Sequence, residues 1–114
     1  MLLGINIPKR SGVGSGLEMH YLLFYDVVDN FMEKRTPFRA AHLEHLKKSF
    51  ERGDLILAGA LAEPSDGAVL AFRGHSLESV ESFAKSDPYV VNGVIKKWRI
   101  RKWMTVIGDG ASFI

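Results

Sequence analysis

The chain has 114 residues, 46% of them hydrophobic and 25% charged, which fits one globular domain around one core. It contains no cysteine, so a disulfide framework, a thiol nucleophile and a thiolate metal site are excluded. The net charge of +2 gives little reason to expect nucleic acid or an anionic membrane as a partner. No apolar run approaches the roughly 18 residues that cross a bilayer, so a soluble intracellular protein, cytoplasmic or organellar, is expected.

Residues 1–18 read as a flexible N-terminal extension. Pro8-Lys9-Arg10 leads into Ser11-Gly12-Val13-Gly14-Ser15-Gly16, a linker composition. Met1 to Ile7 is too short for a secretory apolar region and is followed by no small-residue cleavage pattern. The scarcity of acidic residues before Glu18 also fits the remnant of a targeting extension or an upstream start, and Met19 would serve as the first residue of a domain spanning 19–107.

Met19 to Val28, aromatic and branched, predicts a strand. Asp29 to Lys34 reads as a polar connection. Thr36-Pro37 predicts a helix start, with a hydroxyl N-cap and proline at the first position; the helix should run to about Arg52 and stop at Gly53. Leu55 to Leu61 is a short apolar strand, Glu63-Pro64-Ser65-Asp66-Gly67 is turn chemistry, and Ala68 to Phe72 completes a hairpin. Ser76 is placed to cap a second helix from Leu77 to Ser86, and Asp87 to cap a further turn from Pro88 to Gly93. Val94 to Ile107 forms the last strand, and 108–114 is a tail.

This β-α-β-β-α-β order is the ferredoxin-like α+β pattern, an antiparallel sheet with helices on one face. Strand one is apolar at both parities, Tyr21, Leu23, Tyr25 and Val27 on one side and Leu22, Phe24 and Val28 on the other. The segment LILAGAL carries no polar side chain. A half-solvated sheet should alternate, and two helices cover one face only. The other face then calls for a second copy of the chain, and a homodimeric α/β barrel is expected.

On a wheel of about 100° per residue with Phe38 at zero, the apolar stripe of the first helix (Leu43, Leu46, Phe50) centres near ~85°. Arg39 falls near ~100° and His42 near ~40°, inside the stripe, whereas His45 falls near ~340°, at its edge. His42 is therefore taken as the inward histidine. Asp87 would lie on the apolar face of the second helix if that helix continued, and both helices share one side of the sheet.

An imidazole titrates near neutrality, a carboxylate on one ring nitrogen fixes its tautomer, and a guanidinium can hold an anionic group. The set suits proton abstraction, isomerisation or elimination. Taken singly, His42 is equally a satisfied structural histidine, Asp87 an N-cap, and Arg39 a surface partner of Glu33 or Asp87. Tyr21, Tyr25 and Tyr89 read as core or rim aromatics, and His20 and His75 as strand-edge and turn residues without partners. No histidine pair has a metal-ligand context, and neither metal nor cofactor is expected. The basic run Lys96 to Trp103, with its two tryptophans, raises RNA binding as an alternative; an edge strand protected by charge explains it as well.

Arg39-x-x-His42-Leu43, then Gly53, Gly59, Gly67, Asp87-Pro88-Tyr89, Gly93 and Ile100-x-x-Trp103 resemble the YciI-like (YCII-related) proteins over residues 19 to about 105. The resemblance implies a ferredoxin-like dimeric barrel and an active site on His42 and Asp87, with Arg39 as the motif arginine. A related branch resembles dehydrochlorinases of chlorinated hydroxyhydroquinones, and the fold is similar to that of muconolactone isomerases. The expectation is a cofactor-independent lyase or isomerase acting on a small anionic or phenolic molecule. A non-catalytic binding or sensing module with the same pocket is the alternative.

Overall fold

A computed structural model describes residues 18–113, so the proposed N-terminal extension lies outside the described residues except for Glu18. The elements in order are β1 (Met19–Val27), α1 (Phe31–Lys34), a 3-10 turn (Thr36–Phe38), α2 (Arg39–Glu51), β2 (Leu55–Ala60), β3 (Gly67–Gly74), α3 (Leu77–Ser86), α4 (Pro88–Val91) and β4 (Ile95–Trp103). The four strands form one sheet in the order β2-β3-β1-β4, each neighbouring pair antiparallel. This is the ferredoxin-like α+β fold read from the element order. Among the described residues no helix is long and apolar enough to cross a membrane.

Strand alternation sorts the side chains. Tyr21, Leu23 and Tyr25 of β1 lie opposite Phe72, Leu70 and Ala68 of β3, and their face meets Val80, Phe83 and Ala84 of α3 in the buried core. Leu22 and Phe24 point the other way, opposite Ala71 and Val69, and all four are half-buried. Leu57 of β2 shares that second face with Ala71 and is 73% exposed. Helices therefore cover one face of the sheet; on the other, β1 to β3 present apolar side chains and β4 presents Lys97, Arg99 and Arg101.

The elements differ from expectation in three places. The connection after β1 contains a helical turn, α1, whose Phe31 packs against the core. Thr36 is no N-cap; its hydroxyl donates back to the Met32 carbonyl, and α2 begins only at Arg39, after the 3-10 turn. The last strand stops at Trp103, short of Ile107.

Beyond Trp103 the chain folds back over the start of β1. The Phe113 amide donates to the Thr105 carbonyl, Arg73 pairs with Asp109 at 3.0 Å, and the Thr105 hydroxyl meets His20 Nδ1 at 2.7 Å. His20 is therefore buried in a central strand, not a partnerless strand-edge residue. Burial, reinforced by the Arg73 charge, holds its pKa below the usual histidine value.

The face that α2 turns inward is also not the expected one. Leu43 and Phe50 are 44% and 61% exposed, while Ser49 is buried and His42, His45 and Leu46 are half-buried. The inward face lies about 60° round from the stripe's centre on the same wheel. The reason is position. α2 packs beside β2, an edge strand, where Leu43 and Phe50 line an open groove with Leu55, Leu57 and Ala58. His45 is consequently a second inward histidine, with Nε2 at 2.9 Å from the Phe83 carbonyl and its ring stacked on Phe83.

Candidate active site

Asp87 is the residue on which three elements converge. It ends α3, with extended backbone that breaks the helix, and caps α4, where Pro88 takes the first position and the Tyr89 amide donates to Oδ1 at 3.0 Å. Capping is the role read from Asp-Pro, but the carboxylate does more. From β1, the Tyr25 hydroxyl donates to Oδ2 at 2.6 Å. From α2, His42 Nδ1 meets Oδ1 at 2.8 Å. Asp87 is 0% exposed, and an unpaired carboxylate is not tolerated at such depth. These donors are its compensation.

The geometry fixes protons. A carboxylate only accepts, so His42 Nδ1 carries the hydrogen and Nε2 keeps its lone pair in the neutral ring. Burial, then the Asp87 charge and the hydrogen bond to it, push the Tyr25 phenol far above its ordinary pKa, so it donates as a neutral hydroxyl. The His42 ring is stacked on Tyr89, with centroids 3.7 Å apart and planes 7° from parallel, and Tyr89 meets Phe31 edge-on at 5.5 Å. The imidazole is thus held at one nitrogen and across one face.

His42 and Tyr89 line a cavity of about 260 Å³ between α2 and the sheet. Its floor includes Ala58, Ala60 and Ala68, which the β2–β3 register sets on the helix side with Leu70. Small side chains there leave the space that larger ones would fill. Arg39 lines the same cavity and is exposed, with no ion pair or hydrogen bond among the described residues; neither Glu33 nor Asp87 neutralises it. Arg35, one turn earlier, also lines the cavity, with its guanidinium 5.4 Å from the Phe31 ring centre. The Tyr89 hydroxyl is buried without a hydrogen-bond partner among the described residues, a state that costs about 1–3 kcal/mol.

His42, Asp87 and Arg39 are therefore brought to one cavity. Tyr25, Tyr89 and Arg35 belong to it as well. Tyr25 carried a signal, since its parity puts it on the same face as Leu23, but nothing in the strand shows its hydroxyl reaching the end of α3. The basic run forms β4, an edge strand. Its tryptophans lie on opposite faces, Trp98 opposite Tyr25 and Trp103 opposite His20, so they form no common stacking platform.

The model of the YCII-related domain matches residues 19–104. The chain belongs to this family. Protein YciI of Escherichia coli O6:H1 is 29% identical over 97 residues, 77% of this chain and 99% of that protein. An uncharacterized protein of Haemophilus influenzae is 32% identical over 85 residues, 67% of this chain and 87% of its own length. Among solved structures, the 5-chloro-2-hydroxyhydroquinone dehydrochlorinase of Burkholderia phenoliruptrix AC1100, in complex with 2,5-dihydroxybenzoquinone, superposes with a TM-score of 0.66 at 20% identity, covering 77% of this chain and 96% of that one. A candidate antibiotic biosynthesis monooxygenase of Nitrosomonas europaea follows at 0.53 and 10% identity, covering 79% and 91%. At these identities the structural likenesses are of fold alone.

Replacing Tyr25 by Phe removes one of the three donors to Asp87 and leaves the ring in place. A hydrogen bond to a charged group contributes about 1.5–3 kcal/mol, so urea unfolding of Tyr25→Phe should show a loss of that size. Unchanged stability would mean that the phenol is not needed to keep the buried carboxylate.

Proposed function

We propose that this YCII-family chain is a cofactor-independent acid/base enzyme, a lyase or isomerase, acting on a small anionic or phenolic molecule in the α2 cavity. The observation that carries this is the His42–Asp87 hydrogen bond at 2.8 Å on the cavity wall. His42 Nε2 is the general base or acid. Asp87 orients the ring and stabilises the imidazolium once a proton is taken, as the carboxylate does in other His–Asp pairs. Arg39 anchors the anionic group and stabilises the charge that develops when an O–H or C–H proton leaves.

From that anion two outcomes are open to the same residues. The imidazolium returns the proton to another atom, giving isomerisation, or a leaving group departs, giving elimination. The name of the Burkholderia neighbour denotes loss of hydrogen chloride from a chlorinated hydroxyhydroquinone, a reaction of the second kind. The same site without turnover would be a binding or sensing module.

The reading also includes a homodimer. The open sheet face presents Leu22, Phe24, Val69, Ala71 and Leu57, an apolar surface of the kind that marks an interface, and a second sheet packed on it would close a barrel. Arg99, whose guanidinium lies 4.5 Å from the Phe24 ring centre, would border that contact.

A turnover screen of chlorinated hydroquinones, lactones and hydroxy acids tests the chemistry. Where a compound is converted, His42→Gln should lower kcat by about 10²–10⁴-fold, and Asp87→Asn should also lower it while the compound still binds. Conversion undiminished in His42→Gln, or binding with no conversion across the panel, would contradict the enzymatic reading. Sedimentation should give the mass of two chains, falling to one in Phe24→Glu; a wild-type mass of one chain rules out the barrel.

A further inference from the structure

We propose that Arg35 is a specificity residue of this site and selects a ligand with two anionic groups, a small dicarboxylate held at one end by Arg39 and at the other by Arg35. This rests on the reading of the α2 cavity as a ligand site and adds what the ligand must carry.

Both arginines line the cavity, and among the described residues no acidic side chain does. The ion pairs of the described residues are His42–Asp87, Arg52–Asp54, Arg73–Asp109 and Lys97–Asp26, so neither Arg35 nor Arg39 is neutralised among them. Two unpaired cations on the wall of one apolar cavity favour two anionic groups. Arg35 is half-buried, whereas Arg39 is exposed. The Arg35 guanidinium lies 5.4 Å from the centre of the Phe31 ring, and Phe31 packs on the core and meets Tyr89 edge-on. An aromatic ring attracts and orients a guanidinium but accepts no hydrogen bond from the donors in its plane, which stay free for an anion. Arg35 is thus positioned before the ligand arrives, which lowers the cost of ordering it on binding.

The two cations stand at different places relative to the histidine. Arg39 and His42 are one turn apart on α2, so their side chains are neighbours on the helix surface. Arg35 comes before Arg39, across the 3-10 turn Thr36–Phe38. At the rise of such turns, the two backbones are roughly 6–8 Å apart along the axis, comparable with two carboxylates across a single ring. Arg39 therefore serves the group beside the reacting atoms, and Arg35 the far end of the ligand. Binding at that far end distinguishes ligands without taking part in proton transfer. The cavity volume, about 260 Å³, lies below the roughly 300–1,000 Å³ of sites for drug-sized molecules, so the ligand is of single-ring size.

The probes are benzoate, isophthalate and terephthalate, titrated into the full chain by NMR or calorimetry at fixed ionic strength. Wild type should bind at least one of the two dicarboxylates about ten-fold tighter than benzoate, the effect of one charge-assisted contact partly screened by solvent. Arg35→Met, which keeps an apolar stem beside Phe31, should bind benzoate as wild type does and lose the preference; Arg35→Gln should do the same. Lys34→Gln removes an exposed cation outside the cavity wall and should keep the preference in full. Arg39→Gln should weaken all three probes. Four results overturn the inference: no preference in wild type, a preference retained in both Arg35 variants, an equal loss in Lys34→Gln, or no binding of any probe by wild type. Benzoate bound without a preference for either dicarboxylate strikes the role of Arg35 and leaves the anion site at Arg39. None of these results bears on the acid/base reading, which stands or falls on turnover by His42→Gln.

Discussion

A fully buried carboxylate organises this molecule. Asp87 sits at the break between α3 and α4, and it is kept there by a phenol from the central strand, an imidazole from α2 and the backbone of α4. Removing one hydrogen bond to a buried charge typically costs about 1.5–3 kcal/mol, so each of these elements is constrained by the others. The sheet fixes Tyr25, Tyr25 and Tyr89 fix Asp87, and Asp87 fixes His42. What results is a histidine on the cavity wall, held through one ring nitrogen and stacked on Tyr89, without the freedom that would cost a site its precision.

The cavity beside it has a different origin. β2 and β3 put alanines on their helix-facing side, and α2 packs beside β2 with Arg39 at its start and Leu43 and Phe50 exposed. Packing on an edge strand leaves part of the apolar stripe of α2 exposed, and the small alanines leave the cavity beside it open.

Element order and the meeting of His42 with Asp87 could be read from the chain, because both follow from local signals: caps, prolines, alternation, and the rule that consecutive helices of a split βαβ unit share a face. The doubly apolar strands foretold an open apolar sheet face for the same reason. What could not be read depends on how elements sit on one another. The wheel gave the apolar stripe of α2 correctly, yet the inward side is set by where the helix rests on the sheet, so His45 was placed at the stripe's edge when it turns inward. The alanines were read as merely apolar, when their size was the message. Tyr25 passed for a core aromatic because parity reports the face a side chain takes and says nothing of what its hydroxyl reaches. The run Asp29 to Lys34 hid α1 because a four-residue helix is too short to show a period.

The proposed site requires that His42 carry its proton on Nδ1, toward Asp87, leaving Nε2 as the free base. Nitrogen chemical shifts of the His42 ring at a pH where it is neutral report this directly. The expected result is a protonated Nδ1 and an unprotonated Nε2, with the pattern lost in Asp87→Asn. A neutral ring protonated on Nε2 would contradict it, since the Asp87 contact would then not be the hydrogen bond on which the site is built.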